Sequence, residues 1–298
     1  MADDSSWLIE FPALPRKDLR ALQKGIDDGF REFSRNYGQA LEDFFDPLLQ
    51  FMIWFERLLL GAPWWLVIIV FALLAYLCSR SVKLCVGLVL AFIVIGIFGM
   101  WEDTMQTVSI ITVCTIIAIV VGIPIGIMMA RYDRAQQAIT PILDVMQTMP
   151  SFVYLIPVVM LLGIGRVPGV IAVVIYAIPP VIRLTNLGIR LVDKDVLEAA
   201  NAFGANFKQR LFGVQIPLAM PNIMAGVNQT IMMSLAMVVV ASMIGVKGLG
   251  QPVLKAITNQ YFSMGLFNGL AIVAIAIIFD RVSQAYGLRI QKHRGVGH

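Results

Sequence analysis

Charged residues are scarce in this sequence, at 14% of its 298 residues. A soluble domain usually carries about 25% charged residues. Hydrophobic residues make up 58% of the chain, and the mean hydropathy is +0.80. The shortage of charge therefore excludes an ordinary soluble domain and indicates an all-α, polytopic membrane protein.

Cysteine and histidine are also sparse. The three cysteines Cys78, Cys85 and Cys114 lie in or beside apolar runs, which favours small buried side chains over a disulfide or a metal site. Both histidines, His293 and His298, lie in the C-terminal tail. We therefore expect no metal site. The sequence also lacks a Gly-x-x-x-x-Gly-Lys-Ser/Thr loop, so we expect no ATP hydrolysis and no enzymatic activity in this chain.

Seven apolar runs predict about seven membrane spans, judged against about twenty residues per crossing. They lie at about 63–78, 84–101, 105–130, 152–164, 167–187, 218–244 and 266–286. The fourth run is short, and the amphipathic run 141–149 is predicted to lengthen it. Prolines and glycines interrupt the third to sixth runs, and such backbone is tolerated only beside protein or a wet cavity. These four spans are the predicted functional core, and the first two are predicted to be peripheral.

Composition divides the chain into an N-terminal extramembrane tail at 1–62, a transmembrane domain at 63–290 and a C-terminal tail at 291–298. The first tail contains no uninterrupted apolar segment of the kind found in a signal peptide. Its last part, 44–60, has apolar residues at helical spacing. This predicts a helix that either lies in the membrane interface or packs on the transmembrane core.

Lysine and arginine indicate the orientation of the chain. With the loop 190–217 placed inside, the inside segments hold most of the lysines and arginines that lie near the spans. The positive-inside rule then places this loop and the C-terminus in the cytoplasm and the N-terminal tail outside.

The loop 190–217 is long and charged for a connection between spans. Asp195 and Glu198 have the spacing of a capping box with Asp195 as the N-cap. Apolar residues follow at spacings of three and four, and Gly204 interrupts them. From the residues alone, two interpretations stay open: an ordinary amphipathic helix in which Glu198 is only a cap, or a docking site for a soluble partner.

Spacing in this loop resembles a known signature. The loop contains Glu198-Ala199-Ala200, three residues, Gly204, nine residues and Val214-Gln215-Ile216-Pro217. This pattern resembles the signature loop of importer-type ABC permeases. That family more often ends the signature with Ile, any residue, Leu and Pro. The segments 144–157, 163–169, 179–185 and 220–229 resemble the permeases of glycine betaine, proline betaine and choline uptake systems. The resemblance covers about residues 60 to 290.

The resemblance implies a type I ABC importer permease-like core in a bacterial inner membrane. It implies a homodimer, two copies of a separate ATP-binding subunit that uses the ATP, and a substrate-binding protein outside. Beyond the lipid bilayer we expect no further partner class, no nucleic acid and no cofactor in this chain. The residues implied to couple the ATPase to the spans are Glu198, Ala199, Ala200, Phe203, Gly204 and Pro217.

The expected cargo is glycine betaine or a related quaternary amine or betaine. The alternatives are choline, carnitine and trimethylamine N-oxide. An ion-coupled secondary transporter is a different class of alternative, which the lack of acidic residues at mid-membrane disfavours. A membrane-anchored interaction protein is a third.

Two further groups of residues are candidates for the transport path. Polar and aromatic residues of the kinked core are predicted to line it, with interhelical hydrogen bonding as the alternative for each: Tyr154, Tyr176, Asn228, Gln229 and Ser234. Glycines at the outside ends of spans are candidates for an outer gate: Gly163, Gly165, Gly248 and Gly250. Arg183 and Asp280 are predicted near the inner ends of their spans, where Arg183 can extend to the interface.

Overall fold

The computed structural model describes residues 14–292, except the side chains of 288 and 290–292. Within that range the chain is helical and contains no strand, which confirms the all-α prediction. The helices are α1 (Arg16–Gly61), α2 (Trp64–Ser79), α3 (Val82–Ile97), α4 (Trp101–Arg131), α5 (Asp133–Thr148), α6 (Leu155–Leu162), α7 (Arg166–Ala177), α8 (Pro179–Arg190), α9 (Lys194–Ala202), α10 (Phe207–Arg210), α11 (Ile216–Ala241), α12 (Gly250–Asn259) and α13 (Phe262–Lys292). The start of the predicted N-terminal tail and most of the C-terminal one, with both histidines, lie outside the described residues.

Within residues 14–292, four helical segments are long and apolar enough to cross a membrane: Trp101–Arg131, Arg166–Arg190, Phe207–Ile244 and Phe262–Gly287. The number rises to six if each of two bent helix pairs forms one span. All seven predicted runs fall on helical segments. Four to six of them, instead of about seven, have the length and composition required to cross a membrane. The difference arises because the first, second and fourth runs form helices too short to qualify alone.

The run 141–149 does not lengthen the fourth span in a straight line. It belongs to α5, and the following segment Ser151–Leu162 is bent by 112° from it. Met149 at the bend has ψ of 134°, the extended conformation that a residue before proline favours, and Pro150 follows. The prediction overlooked this restriction.

Contacts between helices define two ends of the bundle. Arg190 of α8 donates a hydrogen bond to the carbonyl of Met129 in α4 over 2.8 Å, and Met224 of α11 faces Gly287 of α13. The segment 190–217 joins α8 to α11 at this end, which we call the loop end. α3 begins at this end, and α13 ends there.

At the opposite end, which we call the far end, α4 and α7 begin and α11 finishes. The amide of Leu249 donates a hydrogen bond of 2.9 Å to the hydroxyl of Thr107 near the start of α4. Gly169 near the start of α7 packs directly against Val246. The two ends are therefore each held by interhelical contacts of their own.

Helices α4, α7, α8 and α11 supply most of the buried core. Side chains such as Ile111, Val173, Val181 and Val238 are almost completely buried. α2 and α3 each bury only three residues. This distribution agrees with the prediction for the third, fifth and sixth spans and for the two peripheral helices, whereas α6 of the fourth span buries only Leu155 and Val158.

Helix α1 is a single helix of 46 residues, much longer than the helix predicted at 44–60, and it continues through Pro47. It packs on the far end of the bundle. Ser34 Oγ donates a hydrogen bond of 3.2 Å to the carbonyl of Met160 at the end of α6. Glu56 forms a two-pronged ion pair with Arg166, the first residue of α7. These contacts favour packing on the transmembrane core over an isolated interfacial helix.

Breaking this ion pair should loosen α1. In Glu56→Gln, Arg166 loses its partner in a place where its side chain is 23% exposed, and a largely buried lone charge is costly. We expect a loss of about 2 kcal/mol of stability in detergent, measured by thermal unfolding. The charge swap Glu56→Arg with Arg166→Glu should recover most of that loss. A single variant as stable as the parent would contradict a structural role for the pair.

Candidate functional site

Helix α9 and the turn that follows it form an exposed projection at the loop end. None of the nine residues Lys194–Ala202 is buried. The N-cap is Asp193, whose carboxylate accepts a hydrogen bond of 2.9 Å from the amide of Asp195. The prediction of Asp195 as the N-cap is therefore wrong. Asp193 has the non-helical backbone that an N-cap requires, whereas Asp195 already lies in the first turn.

This shift of the cap changes the interpretation of Glu198. Glu198 is the fifth residue of α9 and is exposed, so it lies beyond the third position that a capping box uses. Of the two interpretations left open by the sequence, the purely structural cap is removed. The capping box of this loop lies instead at Asn206 and Gln209, with bonds of 2.9 and 2.8 Å.

The end of α9 is a left-handed glycine turn. Gly204 has φ of +75°, and the amides of Gly204 and Ala205 donate to the carbonyls of Asn201 and Ala200. These two bonds form a Schellman motif, which satisfies the last carbonyls of the helix. Phe203, immediately before the turn, is 92% exposed. The motif therefore holds an aromatic side chain out into solvent.

One arginine connects the loop that carries this projection to a span, and a second arginine joins the span ends beside it. The guanidinium of Arg131 at the end of α4 lies 3.9 Å from the ring centroid of Phe207 in α10. Arg190 at the end of α8 donates to the carboxylate of Asp133 over 2.7 Å, and also to Asn186 and to the carbonyl of Met129. The loop therefore contacts the end of α4, and the ends of α4, α5 and α8 are bonded to one another.

The contribution of the Arg190 hydrogen bonds to stability should be measurable in the chain without its partners. Arg190→Lys keeps the charge but cannot reproduce the forked set of donors, so we expect a loss of about 1 kcal/mol in thermal unfolding. Asp133 is 79% exposed, and Asp133→Asn should change stability by less than about 0.5 kcal/mol. An equal loss in both variants would show that the ion pair, and not the bonds to Asn186 and Met129, supplies the stability.

The candidate path residues separate into different environments. Tyr154 is buried, and its ring meets that of Tyr176 edge-on at 5.9 Å between centroids. The hydroxyl of Tyr154 donates to the carbonyl of Met146 in α5. Gln229 is exposed, and the hydroxyl of Ser234 is fully buried without a hydrogen-bond partner among the described residues. The structure therefore brings the two tyrosines into contact and gives Gln229 and Ser234 environments that differ from each other in exposure.

Asn228 belongs to a network between α11 and α13. Its Nδ2 donates to the carboxylate of Asp280 over 2.8 Å, and Ser283 Oγ donates to its Oδ1. Asp280 is thus an interhelical hydrogen-bond acceptor, a role that was not predicted from its place near a charged span end. Arg183 likewise pairs with Asp144 of α5 in addition to lying near an interface. Sequence reasoning missed both partners because they lie 52 and 39 residues away in the chain.

The four candidate gate glycines lie in two loops that meet at the far end. Ile164, between Gly163 and Gly165, contacts Gly245 at the start of the second loop. The first pair has open space around it, whereas Gly248 and Gly250 are buried. Thr107 holds the second loop, because its hydroxyl accepts from Leu249 and donates to a carbonyl of its own helix. Nothing in the sequence marked Thr107.

Comparison with known proteins places these features in a family. Residues 122–292 match the family described as binding-protein-dependent transport system inner membrane component. The chain is 46% identical over 279 residues to the glycine betaine/proline betaine transport system permease protein ProW of Escherichia coli, covering 94% of this chain and 78% of that protein. It is 40% identical over 278 residues to the glycine betaine/carnitine transport permease protein GbuB of Listeria monocytogenes, covering 92% of this chain and 97% of that protein.

A solved structure shares the fold. The MetNI methionine ABC transporter in an inward-facing conformation aligns with a TM-score of 0.57 at 16% identity, covering 62% of this chain and 93% of the matched chain. This confirms the predicted ABC permease-like core. The chain is therefore a multi-pass membrane protein that belongs to the family of binding-protein-dependent transport system inner membrane components, which are permease components of ABC importers and not enzymes.

Proposed function

We propose that this chain is the permease subunit of an ATP-driven importer for glycine betaine or a related quaternary amine or betaine. The two relatives above are named for glycine betaine with proline betaine or carnitine, all of which combine a quaternary ammonium group with a carboxylate. The exposed projection at the loop end is the observation that carries the proposal. It offers a docking element for an ATPase and follows α8 directly in the chain. Helix α10, which is bonded to it through Arg210 and Asn201, contacts Arg131 at the end of α4.

Coupling is proposed to pass through Glu198, Ala199, Ala200, Phe203, Gly204 and Pro217. Family membership implies an ATP-binding subunit and a substrate-binding protein as partners. We propose two copies of the ATPase and two of this permease, so that each α9 engages one ATPase. An aromatic side chain that is exposed in the free chain and buried in a complex is a frequent centre of binding energy.

The proposed orientation has the N-terminus outside and the C-terminus in the cytoplasm of a bacterial inner membrane. Its support is that α1 contacts α6 and α7 at the far end, opposite the proposed ATPase-binding loop, whereas α13 ends at the loop end. In a cysteine-free background, Asp28→Cys should react with an impermeant thiol reagent in spheroplasts. Ala202→Cys, equally exposed, should react only after permeabilisation. The reverse pattern would overturn this orientation.

The substrate is proposed to pass between the glycine loops at the far end and then along the kinked core. The Tyr154 and Tyr176 pair offers aromatic faces that attract a quaternary ammonium ion. Asn228, Gln229 and Ser234 stay candidates for the same path, with Asn228 reaching it only if its bonds to α13 rearrange. Gly163, Gly165, Gly248 and Gly250 are proposed to shape the outer gate.

Reconstitution tests the function directly. The chain is placed in vesicles with its own ATPase and binding protein, and uptake of glycine betaine, proline betaine, carnitine, choline and trimethylamine N-oxide is compared. We expect ATP-dependent uptake that is highest for a betaine and absent without the ATPase. Uptake by the permease alone under an ion gradient would support the secondary transporter instead.

A further inference from the structure

A groove runs between the peripheral helix α3 and helix α13 at the loop end. Its volume is about 270 Å³. Apart from Lys83 and Arg281, every residue that lines it is apolar. The site lies at the edge of the core and shares no residue with the proposed coupling segment, path or gate.

The apolar part of the groove follows helices α3 and α13. Gly87 and Ala91, one turn apart, form one wall, and Ala274 lies on the other. A Cβ atom added at Gly87 would meet no other atom within 4 Å, so open space lies directly before it. At 1.5 Å per residue, the groove extends about 12 Å along α3 from Lys83 to Ala91. An apolar groove of this length can hold part of one hydrocarbon chain.

The two cations stand together at the loop-end mouth of the groove. Neither Lys83 nor Arg281 makes an ion pair or a side-chain hydrogen bond within the described part of the chain. The nearest acidic residue in sequence, Asp280, accepts hydrogen bonds from Asn228 and Gln284. Its carboxylate is therefore engaged there and not with Lys83 or Arg281. The mouth therefore carries positive charge that no residue in the described part of the chain neutralises.

The groove lies at the depth in the bilayer at which a lipid has its charged headgroup next to its acyl chains. α3 has 16 residues and is about 24 Å long, shorter than the roughly 30 Å hydrocarbon core, so its ends lie near headgroup level. The flanking Val86 and Ile277 are more than half exposed, as expected for side chains that face acyl chains. An anion with no hydrocarbon chain would leave the apolar length of the groove unfilled.

We propose that this groove binds one anionic phospholipid of the surrounding bilayer. Its phosphate lies between Lys83 and Arg281, and one acyl chain lies along Gly87 and Ala91. Basic pockets between membrane helices bind anionic headgroups in this way. The bound lipid joins α3 to α13 at the place where the groove separates the two helices.

Native mass spectrometry of the full purified chain tests the site, with phosphatidylglycerol and phosphatidylcholine of equal chain length as probes. We expect phosphatidylglycerol to be retained at least tenfold better, since each cation contributes roughly a factor of five. Lys83→Gln with Arg281→Gln should abolish that preference. Gly87→Leu, which fills the groove and keeps both charges, should reduce retention of phosphatidylglycerol by a similar factor.

A double variant with the same change of charge serves as the control. Arg134→Gln with Lys208→Gln removes two exposed cations at the loop end but outside the groove, and should retain phosphatidylglycerol like the parent. Equal retention of phosphatidylglycerol in the parent and in both groove variants would overturn the site. Displacement of the lipid by millimolar inorganic phosphate would show a simple anion site and overturn it too. Equal unfolding temperatures in detergent exclude a trivial loss of fold.

Discussion

Phe203→Ala should reduce ATP-driven uptake by more than tenfold without destabilising the free permease. The side chain is 92% exposed in the chain alone, so its removal costs no packing there. In the proposed complex it enters the ATPase, and truncating a buried aromatic at the centre of an interface costs about 2 kcal/mol or more, which is well over tenfold in affinity. The measurement is uptake in reconstituted vesicles, together with binding of the ATPase to the detergent-solubilised permease.

Two substitutions separate docking from general damage. Phe203→Leu keeps an apolar side chain before the turn and should retain most uptake. Phe44→Ala removes the same ring from a residue that is 74% exposed on α1, far from the loop end, and should leave uptake unchanged. Full uptake by Phe203→Ala would refute the proposed role of this side chain. A loss shared equally with Phe44→Ala would point to damage unrelated to docking.

The sequence predicted those features that depend on local pattern. Apolar runs predicted where the helices lie, and the spacing from Glu198 to Pro217 singled out the loop that is proposed to couple the ATPase to the spans. The cap of α9 was misplaced by two residues because Asp193 and Asp195 are both good N-caps, and only the backbone conformation distinguishes them. Local pattern therefore identifies an element more reliably than it places its ends.

Features that depend on distant pairs were not predictable from one sequence. Glu56 and Arg166 lie 110 residues apart, so nothing local showed that α1 would dock at the start of α7. Asn228 was assigned to the path by residue type, but its partner Asp280 lies on another helix. The glycine loops illustrate both cases, because their glycines are visible in the sequence, whereas the burial of Gly248 and Gly250 is not.

The buried half of the candidate gate should be far less tolerant than the exposed half. A Cβ atom at Gly248 would lie 2.5 Å from Thr107 Oγ1 and 3.2 Å from the Thr107 amide nitrogen, at a φ of +126° that side chains rarely adopt. Thr107 cannot retreat without losing its bond to Leu249. We expect Gly248→Ala to destabilise the protein by about 3 kcal/mol or more, through strain and overpacking together, and to abolish uptake.

The exposed glycines are the matched controls for this substitution. Gly163→Ala adds a methyl group in open space, but at φ of +74° and ψ of −164°, a region that is essentially restricted to glycine, so backbone strain of about 2 kcal/mol is expected. Gly165 has an extended backbone and open space, and Gly165→Ala should change stability by less than about 0.5 kcal/mol. The loss of stability measured by thermal unfolding should therefore be largest for Gly248→Ala, smaller for Gly163→Ala and smallest for Gly165→Ala. Adding Thr107→Ala to Gly248→Ala should cost less than the sum of the single changes, because it removes the nearest clashing atom. Strict additivity would show that the glycine loop is not held against α4 by this contact.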